Sequence, residues 1–573
     1  MAKLEILKIS HFRGIETFEQ RFGSGITCII GRGDSGKSTI LDAIAYLFAQ
    51  SWSIHINDSD FHKCDTSMPI IIEGVVSGVP EDLIKKFGKH IRGLDANGEL
   101  IDDMESEAAV NAESVLTIRL TINKDLEPSW EVVSNNGVDS TVIKATDRGK
   151  LNVFAISDYT DRHFSMNKGN PLYSLYKQLS GEEAQDNENV VLDVVRDAKN
   201  AFDDAVKDKF KDTIDKIKGV AKTLGVTLSE LKAMLDHKDI AISENKVSIH
   251  EDGVPFRLKG KGSKRLLSLA IQLSLTEPSG VILIDEIEQG LEPYRVRHLV
   301  STLSGYKDRQ VIITTHSSNV IVELPCDALY VMRENAHSLN HVEGEVQGAV
   351  RQNPEAFFAK KVLICEGATE IGLGRSIDKY RISCGKESMA CLGVCLADGR
   401  GKEMENYVMG FNNLGYKTAL FCDSDDDTVK TKKQQFREAG VEVVDCADGF
   451  SIEQQIFNDL SWNGVKDAVS LYYTILVKGE NKSEDDAKTK AFSQVFSKLG
   501  KPNEPYKEDW LDVENSDLRK GLGLAAKSKD KSWYKNITKA EALGGVVLSH
   551  WSELDKETIL YQEFEKLSNW IDA

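Results

Sequence analysis

The chain has 573 residues, 41% hydrophobic and 28% charged, with a net charge of −19, which is the profile of a globular protein of two to four domains and excludes disordered, collagen-like and small disulfide-scaffold classes. No apolar stretch is long enough to cross a bilayer, and Met1 to Lys8 alternates like a strand without the apolar centre of a signal peptide, so no membrane partner and a cytoplasmic location are expected. The nine cysteines include no Cys-x-x-Cys pair, which suits a reducing compartment.

The first informative element is the strand-like run Gly25 to Ile30, followed by Gly31-Arg32-Gly33-Asp34-Ser35-Gly36-Lys37-Ser38 and the apolar helical run Ile40 to Leu47. Strand, glycine-rich loop and helix in that order are the grammar of a phosphate-binding loop. Glycines let backbone N–H groups curl around phosphate at a helix N-terminus, Lys37 adds positive charge, and the Ser38 hydroxyl offers a Mg²⁺ ligand. Gly31, Gly33, Asp34, Ser35, Gly36, Lys37, Ser38 and Thr39 are therefore the expected nucleotide-binding residues.

Strands are next expected at Ile70 to Val76 and Val115 to Ile122, separated by a polar, acidic stretch from Gly93 to Ala112 that reads as a loop. From 171 to 238 the spacing becomes helical and heavily charged, including Val190 to Val195, and predicts a helical insertion suited to self-association. Strand–motif–helix order then returns. Val281-Ile282-Leu283-Ile284 ends in Asp285-Glu286, which places Asp285 near Mg²⁺ and Glu286 beside an attacking water, and Val311 to Thr315 ends in His316. Asp285 follows Lys37 by 248 positions, so a large insertion divides the nucleotide-binding domain.

A polar linker is expected from Ser338 to Pro354, then a second α/β alternation: strand Lys361 to Cys365, strand Thr418 to Cys422, helix Thr431 to Ala439 and strand Val441 to Asp445. Carboxylates punctuate it. Glu366 ends the first strand and Glu370 follows on the first turn of a helix. Asp423 and Asp425 follow the second strand, where residues two apart share a face. Oxygen ligands of this kind suit Mg²⁺ or Mn²⁺. The acidic total does not exclude DNA, because metal ions and a local cluster such as Lys430, Lys432, Lys433 and Arg437 could meet its backbone.

The split between Lys37 and Asp285, with Gly260-Lys261-Gly262-Ser263-Lys264-Arg265 upstream of the acids and Glu288 to Pro293 downstream, resembles the ATP-binding-cassette ATPases, in particular their recombination and chromosome-maintenance branch. Ile9-Ser10-His11-Phe12-Arg13-Gly14-Ile15 resembles their first hairpin. The resemblance implies a signature segment, Gly260, Gly262 and Ser263, that caps a partner subunit's ATP, a γ-phosphate-sensing His316, and at least a dimer. Lys264 departs from the glutamine often found there.

Glu366-Gly367-Ala368-Thr369-Glu370 followed by Asp423-Ser424-Asp425 resembles the Toprim domain of topoisomerases, primases and certain nucleases. An ATPase with a helical insert followed by Toprim resembles the overcoming-lysogenization-defect (OLD) nucleases. That resemblance implies an α/β protein with the ATPase at 1–170 and 239–345, the insertion at 171–238 and Toprim at 355–573. It also implies ATP-regulated DNA cleavage at a two-metal site in antiphage defence. Glu366, Glu370, Asp423 and Asp425 would be metal ligands, Asp398 and Glu453 ligands or their supports, and Lys531 or Lys535 the lysine that neutralises transition-state charge. A second defence component, protein or retron RNA–DNA hybrid, is a possible partner, and dimers could build further. Two other readings stay open: a non-cleaving DNA-binding clamp or sensor, and a topoisomerase-like enzyme, for which no nucleophilic tyrosine is identified.

Overall fold

The computed structural model describes residues 2–104, 109, 111–135, 137–156, 163–166, 170–180, 199–235, 247–275, 280–307, 309–334, 337–425, 427–480, 483–528 and 532–573. They divide into two compact units, Met1–His341 and Val342–Ala573. Among the described residues no helix is long and apolar enough to cross a membrane.

Among the described residues the first unit holds two large sheets and a small three-stranded one, Leu231–Leu235, Val247–Glu251 and Val254–Pro255. One large sheet is antiparallel, with Lys3–Phe12 between Ile15–Arg21 and Ile70–Ser77, and Ile70–Ser77 in turn beside Glu113–Ile122. Phe12 pairs with Ile15 across the tight Arg13-Gly14 turn. The other is six-stranded, in the order Val153–Ile156, Val281–Ile284, Gln310–Thr314, Gly25–Ile30, Leu329–Val331, Asn340–His341, and only the last pairing is antiparallel. We call Gly25–Ile30 β1. Its loop leads into helix α1, Lys37–Leu47. Further along lie helix α2, Lys261–Leu275, then β2, Val281–Ile284, and β3, Gln310–Thr314. All four β2 residues and all five of β3 are buried, as expected for strands covered on both faces. Helix α1 buries Ile40, Leu41, Ala43, Ile44 and Leu47 and packs between the two sheets. Gly74 permits this approach, since a Cβ there would lie 2.5 Å from Leu47.

Three expectations need correction. The stretch 93–112 is not simply a loop: Arg92–Leu94 pairs with Leu100–Ile101 and with Glu113–Ile122. Asp95 accepts from the N–H groups of Asn97 and Glu99 at 2.9 and 2.7 Å, and this closes a short edge hairpin whose polar turn hid it. Within 171–238, Pro171–Ser180 and Lys199–Thr223 are helical, but Leu231–Leu235 is a strand paired with Val247–Glu251. The run Val190 to Val195 lies outside the described residues. The stretch 338–354 is no open linker, because it contains a helix, Gln347–Gln352, and buries Val342, Val346, Ala349 and Val350. The division between the units falls inside it.

The second unit is built on four parallel strands: β4, Lys361–Cys365; β5, Val394–Asp398; β6, Lys417–Phe421; and β7, Glu442–Val444, in the spatial order β5-β4-β6-β7. Helix α3, Ala368–Ser383, follows β4. Helix α4, Asp427–Glu438, follows β6 and starts four residues before the expected Thr431. Then come α5, Ile452–Asp459; α6, Ser516–Lys527; α7, Ile537–Ser549; and α8, Ile559–Asp572. Helices α3 and α7 cross closely at glycines: a Cβ at Gly372 would lie 2.5 Å from the Ile537 carbonyl, and one at Gly544 2.6 Å from Ser376.

Candidate nucleotide and carboxylate sites

In the first unit, β1 and β2 flank β3 and all three run parallel, so Gly31, Asp285 and Thr315 emerge together at the carboxyl edge of the sheet, where α/β folds bind ligands. Gly31 has φ +147°, and a Cβ there would sit 2.4 Å from the Met332 carbonyl oxygen. Only glycine lets the chain leave the strand in this way. Gly36, φ +99°, starts α1, with Thr39 half-buried in its first turn. Gly33 and Asp34 are exposed on the loop and Ser35 is buried in it.

Lys37 is 4% exposed and donates to the carbonyls of Gly31 at 3.0 Å and Arg32 at 2.6 Å. Burial lowers its pKa to about 8, against the raising influence of Asp285, Glu286, Asp34 and Glu288. The Ser38 hydroxyl donates to Asp285 Oδ1 at 3.1 Å, and the Thr314 hydroxyl donates to the same oxygen. The hydroxyl and carboxylate expected to hold Mg²⁺ therefore already touch. Beside the loop a cavity of about 330 Å³ opens between the first hairpin, Ser35 and His62. His62 Nδ1 bonds the Arg13 carbonyl at 2.9 Å, while its buried Nε2 has no partner among the described residues. A basic loop, a hydroxyl–carboxylate pair and an adjoining polar cavity fit a nucleotide with its cation. Lys37→Ala is expected to weaken binding of a non-hydrolysable ATP analogue by roughly 30- to 150-fold in a calorimetric titration, since charged hydrogen bonds to phosphate contribute about 2–3 kcal/mol.

Residues of the flanking motif segments hold this edge through side chains to which no role was assigned. Glu288 accepts from the His316 backbone N–H at 2.7 Å and the Thr315 hydroxyl at 2.6 Å. Arg265, 4% exposed on α2, donates to Gln289 at 2.5 Å, to Glu286 O at 2.8 Å and to Asp285 O. Glu286 stands at φ +43° with its N–H on Thr314 Oγ1 at 2.9 Å. The expected signature residues Gly260, Gly262 and Ser263 lie at the start of α2, where a Cβ on Gly262 would meet Gly290 O at 2.5 Å. His316 is exposed.

In the second unit, Cys365 of β4 pairs with Phe421 of β6, so Glu366 and Asp423 leave adjacent strands side by side. Glu366 Oε2 accepts the Asp423 N–H at 2.9 Å. Glu370, 4% exposed in the first turn of α3, accepts from Gly367 N at 2.9 Å. Asp423 Oδ1 accepts from Ile452 N, the first residue of α5, at 2.7 Å. The neighbouring Glu453 is 5% exposed and accepts from Thr369 Oγ1 at 3.2 Å and Ser451 Oγ at 3.0 Å.

The electrostatics describe a crowded pocket. Burial pushes Glu370 well above the carboxylate range, and Asp423, Glu453 and Glu366 push it further. Burial, then Glu453, Glu366 and Asp425, raise Asp423 to about 8. Burial also raises Glu453, while Lys535 acts to lower it. Among the described residues no three carboxylate, histidine or cysteine side chains stand at the spacing of a closed metal cage. The charges nonetheless act on one another, and that field decides the chemistry: buried oxygen donors carrying excess negative charge fit a hard divalent cation. Glu366, Glu370, Asp423 and Glu453 are the carboxylates that the fold brings into one another's neighbourhood.

Asp425 is exposed and pairs with Lys527 Nζ at 2.5 Å, and it lies near enough to raise Asp423. Asp398 ends β5 beside β4, but its Oδ1 is used on Arg400 N at 2.9 Å. Lys535 is exposed, and Lys531 lies outside the described residues. Among the described lysines, Lys535 acts on Glu453, and Lys527, paired with Asp425, also reaches Gln454 Oε1 at 3.2 Å. Its signal was Gly523: a Cβ there would lie 2.9 Å from Gln454 Cα, so the glycine lets α6 deliver its last residue.

The basic cluster is largely spent internally. Lys432 pairs with Glu405, and Arg437 with Asp445 at 3.0 Å. Lys433, 3% exposed, donates to Asp423 O at 2.7 Å and Ser424 Oγ at 2.8 Å and faces Asp445 at 3.3 Å. Lys433→Met strands these acceptors and is expected to cost about 3 kcal/mol in urea unfolding.

Two family models match the chain. One described as "AAA domain, putative AbiEii toxin, Type IV TA system" matches residues 26–323, just over half of the chain, and "Overcoming lysogenization defect protein-like, TOPRIM domain" matches 357–425. A "Putative ABC transporter ATP-binding protein" of Geobacter sulfurreducens is 36% identical over 80 residues, 14% of this chain and 30% of its own. "ABC transporter A family member 1" of Dictyostelium discoideum is 30% identical over 141 residues, 23% of this chain and 15% of its own. The chain thus spans under a third of the length of these curated relatives. Among solved structures, an Smc head bound to the C-winged helix domain of ScpA is 17% identical, with 59% of this chain and 96% of that one covered and a TM-score of 0.37. The recombination mediator RecF is 14% identical, with 60% and 98% covered and a TM-score of 0.35. The ATPase model covers the sheet that carries Lys37 and Asp285, and the Toprim model covers the strands that carry Glu366 and Asp423; the chain belongs to the AAA-domain ATPases of the first description and has the ATPase-then-Toprim architecture of the OLD family.

Proposed function

We propose that this chain is an ATP-regulated, divalent-cation-dependent DNA endonuclease, the cytoplasmic effector of an antiphage defence system, working as a dimer or larger homo-oligomer. The observation that carries the reading is the group of carboxylates on adjacent strand and helix ends, with Glu370 and Glu453 buried and Glu366 and Asp423 half-buried, in which Asp423, Glu453 and Glu366 raise Glu370, and Glu453 and Glu366 raise Asp423. Mg²⁺ or Mn²⁺ held there supplies positive charge for an attacking water and a leaving 3′-oxygen. Ile452 N–H fixes the orientation of Asp423, and Thr369 and Ser451 fix that of Glu453. Lys527, held by Asp425, brings a cation against the scissile phosphate. In the ATPase unit, Lys37 leaves its two loop carbonyls for the phosphate oxygens, and Glu286 accepts a proton from the hydrolytic water.

Supercoiled plasmid incubated with purified protein, with and without Mg²⁺ or Mn²⁺, tests the reading. Nicked or linear product that requires the cation supports it. Relaxed closed circles would favour the topoisomerase-like alternative, and a mobility shift without cutting the clamp.

A further inference from the structure

The second unit buries an ammonium beside the carboxylates. Lys433, on α4, is 3% exposed, and its Nζ meets acceptors from three segments: Asp423 O after β6 at 2.7 Å, Ser424 Oγ at 2.8 Å, and Asp445 Oδ2 after β7 at 3.3 Å. An ammonium carries three N–H groups, one for each of them. Ser424, the residue between the two aspartates, is also 3% exposed. Its hydroxyl donates to Cys446 O at 2.7 Å and accepts from Cys446 N at 3.2 Å. Its N–H donates to Phe450 O at 2.9 Å, and its carbonyl accepts from Gly449 N at 2.8 Å. The turn Asp423-Ser424-Asp425 is thereby laced to the loop 445–451.

That loop leads into the residues that orient two of the acids. Ile452 N–H holds Asp423 Oδ1 at 2.7 Å, and Ser451 Oγ donates to Glu453 Oε2 at 3.0 Å. Lys433 therefore grips both sides of one joint, the turn that carries Asp423 and the start of the loop that carries Ile452 and Glu453. Asp423 is fixed at both ends, its carbonyl on Lys433 and its carboxylate on Ile452 N. Because the ammonium takes the carbonyl and not the carboxylate, it sets the position of the acid without using an oxygen that a cation needs.

Resting on the nuclease reading, we propose that Lys433 is a positioning residue of the carboxylate site, locking the Asp423 turn to the loop before α5 and so setting where the Asp423 and Glu453 oxygens stand for a divalent cation. Being buried, Lys433 acts through these residues and does not reach DNA. Groups that support a metal ligand in this way typically change metal affinity or activity by about 10- to 100-fold when removed.

The test uses the full chain and three variants. Lys433→Met removes the ammonium, Ser424→Ala removes one of its acceptors, and Arg437→Met removes the exposed partner of the same Asp445, at 3.0 Å. Mn²⁺ binding is read in the absence of DNA by electron paramagnetic resonance of the free ion, and kcat and KM are measured on plasmid at saturating Mn²⁺. Lys433→Met is expected to weaken Mn²⁺ binding roughly 10- to 100-fold and to lower kcat by a similar factor with KM unchanged. Ser424→Ala is expected to move both in the same direction by a smaller factor, and it decides alone should Lys433→Met fail to fold. Arg437→Met is expected to leave Mn²⁺ affinity unchanged. A lysine that only stabilises the fold would lower the melting temperature and leave Mn²⁺ affinity and kcat at their wild-type values in the folded variants. That result would overturn the proposal, as would an equal loss of affinity in Arg437→Met. Weakened Mn²⁺ binding in variants of a protein that cuts no plasmid would uphold Lys433 and sink only the nuclease reading; cutting by wild type with both quantities unchanged in Lys433→Met would do the reverse.

Discussion

Asp423→Asn is expected to lower cation-dependent DNA cleavage by at least a thousandfold while raising the melting temperature of the metal-free protein at pH 8.5. The two effects have one cause. Asp423 accepts from Ile452 N at 2.7 Å and lies in the field of Glu453, Glu366 and Asp425, which with burial lifts its pKa to about 8. At pH 8.5, where Asp423 has lost its proton, an amide keeps an oxygen for the Ile452 N–H and removes the charge the others oppose, so the resting fold gains stability there. The same change takes away an anionic oxygen needed to hold the cation, and a loss of about 4 kcal/mol of transition-state stabilisation corresponds to roughly a thousandfold in rate. A purely structural carboxylate would behave otherwise, since its replacement would lower activity and stability together. Plasmid cleavage and a thermal melt on the same preparation decide the matter. Unaltered cleavage would remove Asp423 from the reaction, and a lowered melting temperature would contradict the repulsion argument.

The second large effect couples pH to metal. The folded pKa of Asp423, about 8, lies above its unfolded value of about 3.9. Its contribution to stability is therefore full below about pH 4 and is lost as pH rises through about 8. Glu370 and Glu453 are shifted in the same direction. Without metal, the protein is expected to melt at a lower temperature at pH 8.5 than at pH 6. Millimolar Mg²⁺ is expected to raise the melting temperature more at pH 8.5, because fewer protons must then be displaced from the ligands. Lys37 runs the opposite way: burial lowers its pKa to about 8, so its contribution grows as pH rises from about 8 towards the usual lysine range. Subtracting the Asp423→Asn melts from those of wild type isolates the carboxylate part. If that difference is flat between pH 6 and 8.5, with and without Mg²⁺, the pocket is not under the strain described.

Both sets of changes reflect how local the informative signals were. The phosphate loop was legible because its chemistry is written in eight consecutive residues between a strand and a helix, and a backbone that must turn at φ +147° beside the Met332 carbonyl admits only glycine at position 31. Glu366 and Glu370 were legible for a similar reason, since a strand end and the next helical turn are neighbours along the chain. The hairpin at Arg92–Leu94 was missed because Asp95, Asn97 and Gly98 serve a turn with the same residues that mark a loop. The helix Gln347–Gln352 was missed because its buried residues, Ala349 and Val350, stand between polar neighbours in a short segment.

From the amino-acid order alone came the α/β class and the acids at strand ends, which follow from periodicity and short motifs, and the ATPase-then-Toprim succession, which the resemblance to known families implied. Tertiary packing alone decided which charges meet. Lys527 reaches Asp425 because Gly523 lets α6 press against Gln454. Lys433 turns inward beneath Asp423 and leaves the basic face it was expected to supply. Arg265 and Glu288 tie the ends of β2 and β3 from positions that no strand motif marks. Short-range stereochemistry sets the conformation of a loop or turn, whereas the partner of a buried charge is chosen by whichever segment, however distant in the chain, packs close enough to replace its water.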